Sequence, residues 1–238
     1  AAYFGDDGRL YVGNNGTGKI YRITIDYANY ANSTSVLFAQ GQGNVNQNDG
    51  ARIVTIQLDY GDAPTRYDNG QNGPPRHSIV SASSPFLGTK PSFENAAKGF
   101  TGIEDDKDDG IATFGPLATS TTTYSTTVSV TNSGADAATA TLVGWIDFDK
   151  DGQFDGNEAA TATVVGNTTG GTATLTWTGL TGLTAGSTYA RFRISTDTNL
   201  TATGHIGTNR DSQSFGVLAN GEVEDYAVTI QADRKSVV

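Results

Sequence analysis

The chain has 238 residues and a formal net charge of −10, because its 25 Asp and Glu residues outnumber its 15 Lys and Arg residues. An acidic chain is repelled by phosphate backbones and anionic surfaces, so we expect no nucleic acid partner. No apolar run reaches the length of a membrane span, which predicts no direct membrane insertion. Cys is absent, so disulfide bonds are excluded as a source of stability.

The two ends of the chain carry expectations of their own. Met is absent, and a complete reading frame begins with Met, so we expect a fragment or a processed product. Residues 233–238 resemble the in-frame translation of a common sequencing adapter. We predict that they form a non-native tail; an ordinary frayed terminus is the alternative.

Short runs of alternating apolar and polar residues recur between segments rich in Gly, Asn and Asp, and 30 residues are Gly. This pattern predicts an all-β protein, because alternate side chains of a strand point to opposite faces. The only helical candidate is the short run Ser92–Lys98. The clearest predicted strands are Arg9–Val12, Lys19–Ile25, Ser35–Ala39, Ile53–Leu58, Tyr124–Val130, Thr139–Phe148, Ala160–Val165, Thr172–Trp177, Tyr189–Ile194 and Val223–Ile230.

Residues 1–55 form the first predicted domain. The segment GRLYVGNNGTGKIYRITID reads as a strand, a Gly/Asn turn and a second strand, a hairpin too small to bury a core alone. Together with the flanking YFGDD and the later NDGAR, it resembles the last repeat of propeller-like domains in large bacterial surface proteins. The resemblance implies a truncated repeat; an N-terminal hairpin of the main domain is the alternative.

The most specific motif is the acidic loop DFDKDGQFDGNE, which we define as Asp147–Glu158. Its acidic residues fall at the spacing of a twelve-residue calcium loop, and Gly152 takes the position of the sharp turn. Asp155 is expected to bind directly or through water, and Glu158 to close the shell with both carboxylate oxygens. The predicted Ca²⁺ ligands are Asp147, Asp149, Asp151, the Gln153 backbone carbonyl, Asp155 and Glu158.

The residues that flank the acidic loop are those of strands, not of the helices that an EF-hand requires. Thr139–Phe148 and Ala159–Val165 are rich in Thr, Val and other strand-forming residues. We therefore predict that the loop joins two strands as a rigid corner, with Phe154 packed inward. An acidic turn without a cation is the alternative, but it is disfavoured because the carboxylates repel one another.

Two later motifs predict a pair of neighbouring strands. In RFRIS, Arg191 and Arg193 share one face; in GEVEDY, Glu222, Glu224 and Tyr226 share one face. If these strands pair, we expect exposed Arg–Glu cross-strand partners, each contributing about 0.2–1 kcal/mol.

Residues 56–232 contain an ordered set of motifs: DYGDAPTRY, His77, Leu87-Gly88, EDDKDDG, the acidic loop, RFRIS and GEVEDY. This set resembles the GEVED domain of bacterial secreted and surface proteins, which is named for residues 221–225. The resemblance implies a calcium-binding antiparallel β-sandwich that follows the N-terminal hairpin. One departure is that members often carry an acidic pair after the Leu-Gly step, whereas residues 89–93 contain none.

The resemblance also raises the prospect of a second cation at EDDKDDG, residues 104–110, although a solvated charge run is the usual interpretation of such a segment. The preferred ligands are Asp106 and Asp108, completed by Glu224 and Asp225. Asp59 and Asp62 belong to the turn DYGDAP, where a structural role is favoured over cation binding.

Catalytic motifs are missing from the sequence. His77 and His205 are the only histidines, and no Cys or clustered second His accompanies either. Paired carboxylates for glycoside hydrolysis are the remaining option, but the cation-like spacing accounts for the acidic clusters without catalysis. We therefore predict no enzyme activity and no catalytic residue.

The resemblance and the acidic loop together imply a calcium-stabilised module of a bacterial extracellular or cell-surface protein that supports adhesion or ligand binding. The expected partners are a host or neighbouring-cell glycan or peptide and the neighbouring modules of a larger chain. The alternative is a passive structural spacer without a ligand of its own.

Overall fold

The fold is taken from a computed structural model, and the chain divides into two compact units, residues 1–56 and residues 57–238. The structure describes residues 2–4, 10–14, 17, 19–24, 33–40, 57–68, 74–79, 84–92, 108–133 and 138–233. Most of the predicted helix Ser92–Lys98 and most of the predicted strand Ile53–Leu58 lie outside these residues. The described part of the chain contains no helix long and apolar enough to cross a membrane.

The first unit is a four-stranded antiparallel sheet in which each strand pairs with the next along the chain. Thr17, in the turn between the second and third strands, donates its backbone N–H to the backbone and side-chain oxygens of Asn14. The strands are β1 (Ala2–Phe4), β2 (Leu10–Asn14), β3 (Lys19–Thr24) and β4 (Thr34–Gln40).

The second unit is also built from strands, so the all-β prediction is confirmed. Single 3₁₀ turns cover Thr65–Tyr67, Gly156–Glu158 and Ser212–Ser214. The strands are β5 (Gln57–Tyr60), β6 (Arg76–Ile79), β7 (Phe86–Leu87), β8 (Leu117–Ala118), β9 (Thr123–Asn132), β10 (Ala140–Ile146), β11 (Ala159–Val164), β12 (Thr168–Thr178), β13 (Gly186–Ser195), β14 (Val217–Leu218) and β15 (Glu222–Gln231).

A five-stranded sheet, in the order β11-β10-β13-β15-β8, forms the centre of this unit. One of its faces packs on the three-stranded sheet β12-β9-β7 through a continuous apolar core that includes Leu142, Phe192 and Leu175. The two sheets approach so closely that a Cβ at Gly144 would lie 2.6 Å from Leu175 Cδ1. The arrangement is a β-sandwich, as predicted, with alternate residues of each strand facing the core.

The other face of the central sheet is buried too, and it carries charge. It faces the small sheet β14-β6-β5 and an apolar cluster that includes Trp145 and Phe154. Arg191 and Arg193 lie on this face, and neither is exposed to solvent. The second half of β13 is therefore buried on both faces of the sheet.

The prediction of exposed Arg–Glu pairs across these strands is wrong. Arg191 lies opposite Asp225 in the register, and its Nε and Nη2 donate to the two oxygens of Asp225 at 2.7 and 2.8 Å. Arg193 donates instead to His77 Nε2, at 3.0 Å, and to backbone carbonyls of residues 213–216. The physical reason is the register, which places Glu222 and Glu224 opposite Ile194 and Phe192, on the face away from the arginines.

Trp145, His205 and Asp211 form a buried polar contact at the edge of the second apolar cluster. Trp145 Nε1 donates to Asp211 Oδ2 at 3.0 Å, and the same carboxylate accepts from His205 Nδ1. Burial alone would lower the pKa of His205, but the hydrogen bonds to Asp211 and to the Thr201 carbonyl raise it above its usual value. The same contact holds the pKa of Asp211 below its usual value, although burial opposes this.

These pKa shifts predict that the chain loses stability as the pH rises from about 6.5 through the folded-state pKa of His205. A raised pKa means that the folded state binds the proton more tightly than the unfolded state, so the stabilisation is complete below the unfolded-state pKa. Urea unfolding at pH 6 and pH 9 checks this, with His205→Gln as the control that should show a smaller difference. An identical pH dependence in the two proteins would contradict the assignment.

Candidate metal centre

The acidic loop joins β10 to β11 and is folded by hydrogen bonds from its own backbone. Asp149 Oδ1 accepts from the N–H of Asp151 at 3.0 Å, and Asp151 Oδ1 accepts from the N–H of Gln153 at 2.7 Å. Gly152 has a φ of +86°, which suits a residue without a Cβ. One oxygen from each of Asp147, Asp149 and Asp151 lies within 4.8 Å of the others. This cluster can hold a metal ion.

Two buried oxygens of the loop are without a hydrogen-bond donor. Asp147 is completely buried; its Oδ2 accepts from the Tyr67 hydroxyl at 2.5 Å and from the N–H of Gly152 at 3.2 Å. Among the described residues, Asp147 Oδ1 and Asp155 Oδ1 have no hydrogen-bond partner. A buried, unpaired carboxylate oxygen carries a large desolvation penalty, which a bound cation would offset. These oxygens therefore fit a metal ligand set.

The electrostatics of the loop agree with this interpretation. Burial raises the pKa of Glu158 to about 8, and the charge of Asp147 adds to the effect. Burial also raises the pKa of Asp155 to about 6, with further contributions from Asp151 and Asp149. The carboxylates thus resist ionisation when only protein groups surround them, and a divalent cation would favour their charged forms.

Glu158 lies at the end of the acidic loop, and both of its side-chain oxygens accept hydrogen bonds from the backbone of the loop. Its Oε1 accepts from the N–H of Phe148 at 2.6 Å, and its Oε2 accepts from the N–H of Asp155 at 3.1 Å. Both oxygens therefore tie the two ends of the loop together, and the cluster of three aspartates does not include Glu158. The closure of the shell by both Glu158 oxygens stays a prediction, because a carboxylate oxygen that accepts one N–H keeps a second lone pair for a cation.

The backbone carbonyl of Gln153 is a predicted ligand, and this stays a prediction. The side chain of Gln153 forms hydrogen bonds that stabilise the loop. Gln153 Nε2 donates to Asp151 Oδ2 at 2.8 Å, and its Oε1 accepts from Arg210 Nε at 3.3 Å. The predicted inward packing of Phe154 is confirmed, since this side chain is completely buried beside the ring of Tyr67. Phe154 therefore fixes the far end of the loop to the second apolar cluster.

Two other segments hold the acidic loop in place. Arg210 donates from Nη1 to the Tyr67 carbonyl at 2.8 Å and from Nη2 to the Arg66 carbonyl at 3.0 Å. The backbone N–H of Gly156 donates to the Asn209 carbonyl at 3.1 Å. Sequence reasoning missed Tyr67, whose hydroxyl orients Asp147 from a segment 80 residues away. Its only signal was its position at the end of the motif DYGDAPTRY.

The second predicted cation site does not assemble from the described residues. Asp106 lies outside them, and Asp108 is half-buried. Glu224 and Asp225 are neighbours on β15, so their side chains point to opposite faces of the sheet and cannot converge.

Protein donors account for both carboxylates. Glu224 Oε1 accepts from the N–H groups of Asp109 and Gly110, each at 3.0 Å, and its Oε2 accepts from the Tyr226 hydroxyl at 2.7 Å. Asp225 binds Arg191. The acidic residues of GEVEDY therefore stabilise the fold, with Glu222 anchoring the backbone of Leu87 and Ser92 in the same way.

The candidate metal centre lies in a segment that matches a known family model. Residues 141–229 match the family model of the GEVED domain. The match begins in β10, runs through the acidic loop and RFRIS, and ends in β15 after GEVEDY. No curated protein and no solved structure matches the chain. Residues 141–229 of this chain are therefore similar to the GEVED domain.

Proposed function

We propose that residues 57–233 form a calcium-stabilised module of a larger bacterial extracellular or cell-surface protein, and that this module supports adhesion or ligand binding. A GEVED domain suggests a module of a larger protein. The observation that carries the calcium assignment is the buried, unpartnered Oδ1 of Asp147 within a cluster of three aspartates.

Calcium is the ion that this ligand set favours. The candidate ligands are oxygens alone, most of them anionic, and they belong to a curved loop rather than to a rigid octahedral cage. Soft metals prefer sulfur or imidazole ligands, and neither is present in the loop. The residues that would hold the ion are Asp147, Asp149, Asp151 and Asp155, together with the Gln153 backbone carbonyl.

The proposed role of the ion is to rigidify the acidic loop and the two segments that are hydrogen-bonded to it. The acidic loop is bonded to Tyr67 on one side and to the segment around Asn209 on the other. An ion that orders the acidic loop would also reduce the freedom of these two segments, and preordered loops bind a partner at a lower entropic cost. The second candidate function is a passive spacer. The same hydrogen bonds from the acidic loop to Tyr67 and Asn209 favour it, because they would also stiffen a module that binds no partner.

We further propose that the chain is not an enzyme. His77 Nε2 accepts from the guanidinium of Arg193, and His205 contacts Asp211 and the Thr201 carbonyl. Neither ring therefore faces a side-chain nucleophile among the contacts that the structure describes. The buried carboxylates of GEVEDY bind backbone N–H groups, a hydroxyl and an arginine, which accounts for them without catalysis.

A binding screen separates adhesion from the spacer function. Panels of bacterial and host glycans and of peptides are probed with the protein in millimolar Ca²⁺, in EGTA, and with the variant Asp149→Ala. We expect at least one ligand to be retained in Ca²⁺ and lost in the other two conditions. If a broad panel yields no calcium-dependent ligand, the adhesion proposal fails and the spacer function stands.

A further inference from the structure

A cavity of about 290 Å³ lies beside the acidic loop. Its walls come from the two ends of the loop and from the turn after β12. The lining is mixed, with carboxylate, amide and hydroxyl groups next to apolar side chains. Its lining includes Phe148, Asp149, Asn157, Thr178, Leu180 and Thr181.

Asp149 belongs both to this cavity and to the aspartate cluster. The cluster has a buried side, formed by Asp147, and an exposed side, formed by Asp149 and Asp151. Asp155, whose Oδ1 is unpartnered, is also buried. A cation held by this cluster therefore has buried protein on one side and the exposed Asp149 and Asp151 on the other, and Asp149 connects it to the cavity.

The protein ligand set is also incomplete for calcium. Ca²⁺ takes about six to eight oxygen ligands. Glu158, which would complete the shell in a closed loop of this spacing, is not among the described residues whose carboxylate oxygens cluster. The four aspartates and the Gln153 carbonyl leave about one to three positions for water or for a ligand.

We propose that this cavity binds an acidic sugar, a uronic acid whose carboxylate and neighbouring hydroxyl complete the coordination of the ion. The proposal rests on the calcium site proposed above and assigns that site its ligand. The volume lies at the lower end of the range for small-molecule sites, about 300–1,000 Å³, which suits one sugar ring.

The chemistry of the walls supports this ligand class. Asn157, Thr178 and Thr181 offer hydrogen bonds to sugar hydroxyls, and Phe148 and Leu180 offer an apolar surface to the C–H face of the ring. Asp149 lies in the same walls, and its carboxylate repels an anion when no cation is present. The binding of a uronic acid is therefore strictly metal-dependent, and a neutral sugar lacks the carboxylate that the ion prefers.

Terbium luminescence tests the proposal, because Tb³⁺ replaces Ca²⁺ and its lifetimes in H₂O and D₂O count the bound water molecules. Trp177 is the antenna, since its Nε1 donates to the Glu158 carbonyl at 2.6 Å. Excitation through Trp restricts the signal to protein-bound ions. We expect bound water in the ion-loaded protein, and a fall in the water count on addition of galacturonate but not of galactose.

Thr181→Trp fills the cavity without altering a proposed ion ligand, and the matched control is Thr174→Trp on the exposed face of β12. Galacturonate should displace water in the wild type and in Thr174→Trp but not in Thr181→Trp. Bound Tb³⁺ with no water, or equal displacement in all three proteins, would overturn the cavity proposal while leaving the metal site intact. Absence of Tb³⁺ binding would overturn the metal site, and the cavity proposal with it.

Discussion

Replacing Asp225 with alanine is expected to lower the free energy of unfolding by about 3–5 kcal/mol. The substitution leaves the guanidinium of Arg191 buried, with Asp68 as its nearest remaining carboxylate, at 3.6 Å. It also removes Asp225 Oδ2, which accepts a hydrogen bond from the N–H of Ala63 at 2.7 Å. An uncompensated charge inside a protein is more destabilising than the loss of the whole pair, so urea unfolding should reveal a large change.

Two further variants separate the unpaired charge from a simple loss of packing. The double variant Arg191→Met/Asp225→Leu removes both charges and should recover much of the lost stability, since an apolar replacement of a buried pair is often neutral. Asp233→Ala, at an exposed position, should change the stability by less than about 0.5 kcal/mol. Equal stability of Asp225→Ala and the wild type would refute the view that this pair organises the buried face of β13.

Removal of calcium is expected to have the second large effect. At an ion concentration about a thousand times the dissociation constant, a site that exists only in the folded state stabilises it by about 4 kcal/mol. Chelation with EGTA should therefore lower the melting temperature of the wild type clearly. Asp149→Ala should melt at nearly the same temperature with and without EGTA, because it lacks a central ligand of the cluster.

The control for this experiment is Asp233→Ala, which keeps the acidic loop and should respond to EGTA as the wild type does. A general effect of chelator or of ionic strength would lower the melting temperatures of all three proteins alike. If the wild type melts at the same temperature in both conditions, no stabilising calcium site is present.

The longer strands and the acidic loop could be predicted because both follow from local spacing, whereas the short strands β1, β6, β7, β8 and β14 were not predicted. Alternation along β13 placed Arg191 and Arg193 on one face and Phe192 on the other, as observed. It could not predict which face of β15 they meet, since a shift of one residue in register exchanges Asp225 for Glu224. That choice is made by the packing of the whole sheet.

Two contacts of the metal centre were not predicted from the sequence. One comes from a residue distant in the chain, and the other is a backbone N–H group that bonds to a predicted ligand. Tyr67 reaches Asp147 across 80 residues, and no spacing rule signals such a contact. Glu158 satisfies the calcium spacing, and it also forms a capping box with Asp155 at the 3₁₀ turn Gly156–Glu158 and accepts from the N–H of Phe148.

A calorimetric titration of Ca²⁺ into chelator-stripped protein shows whether the aspartate cluster binds a divalent cation. We predict saturable binding to the wild type and a loss of binding in Asp149→Ala, with folding of the variant verified by circular dichroism. Absence of saturable binding to the wild type, or equal affinity in a folded Asp149→Ala, would contradict the account.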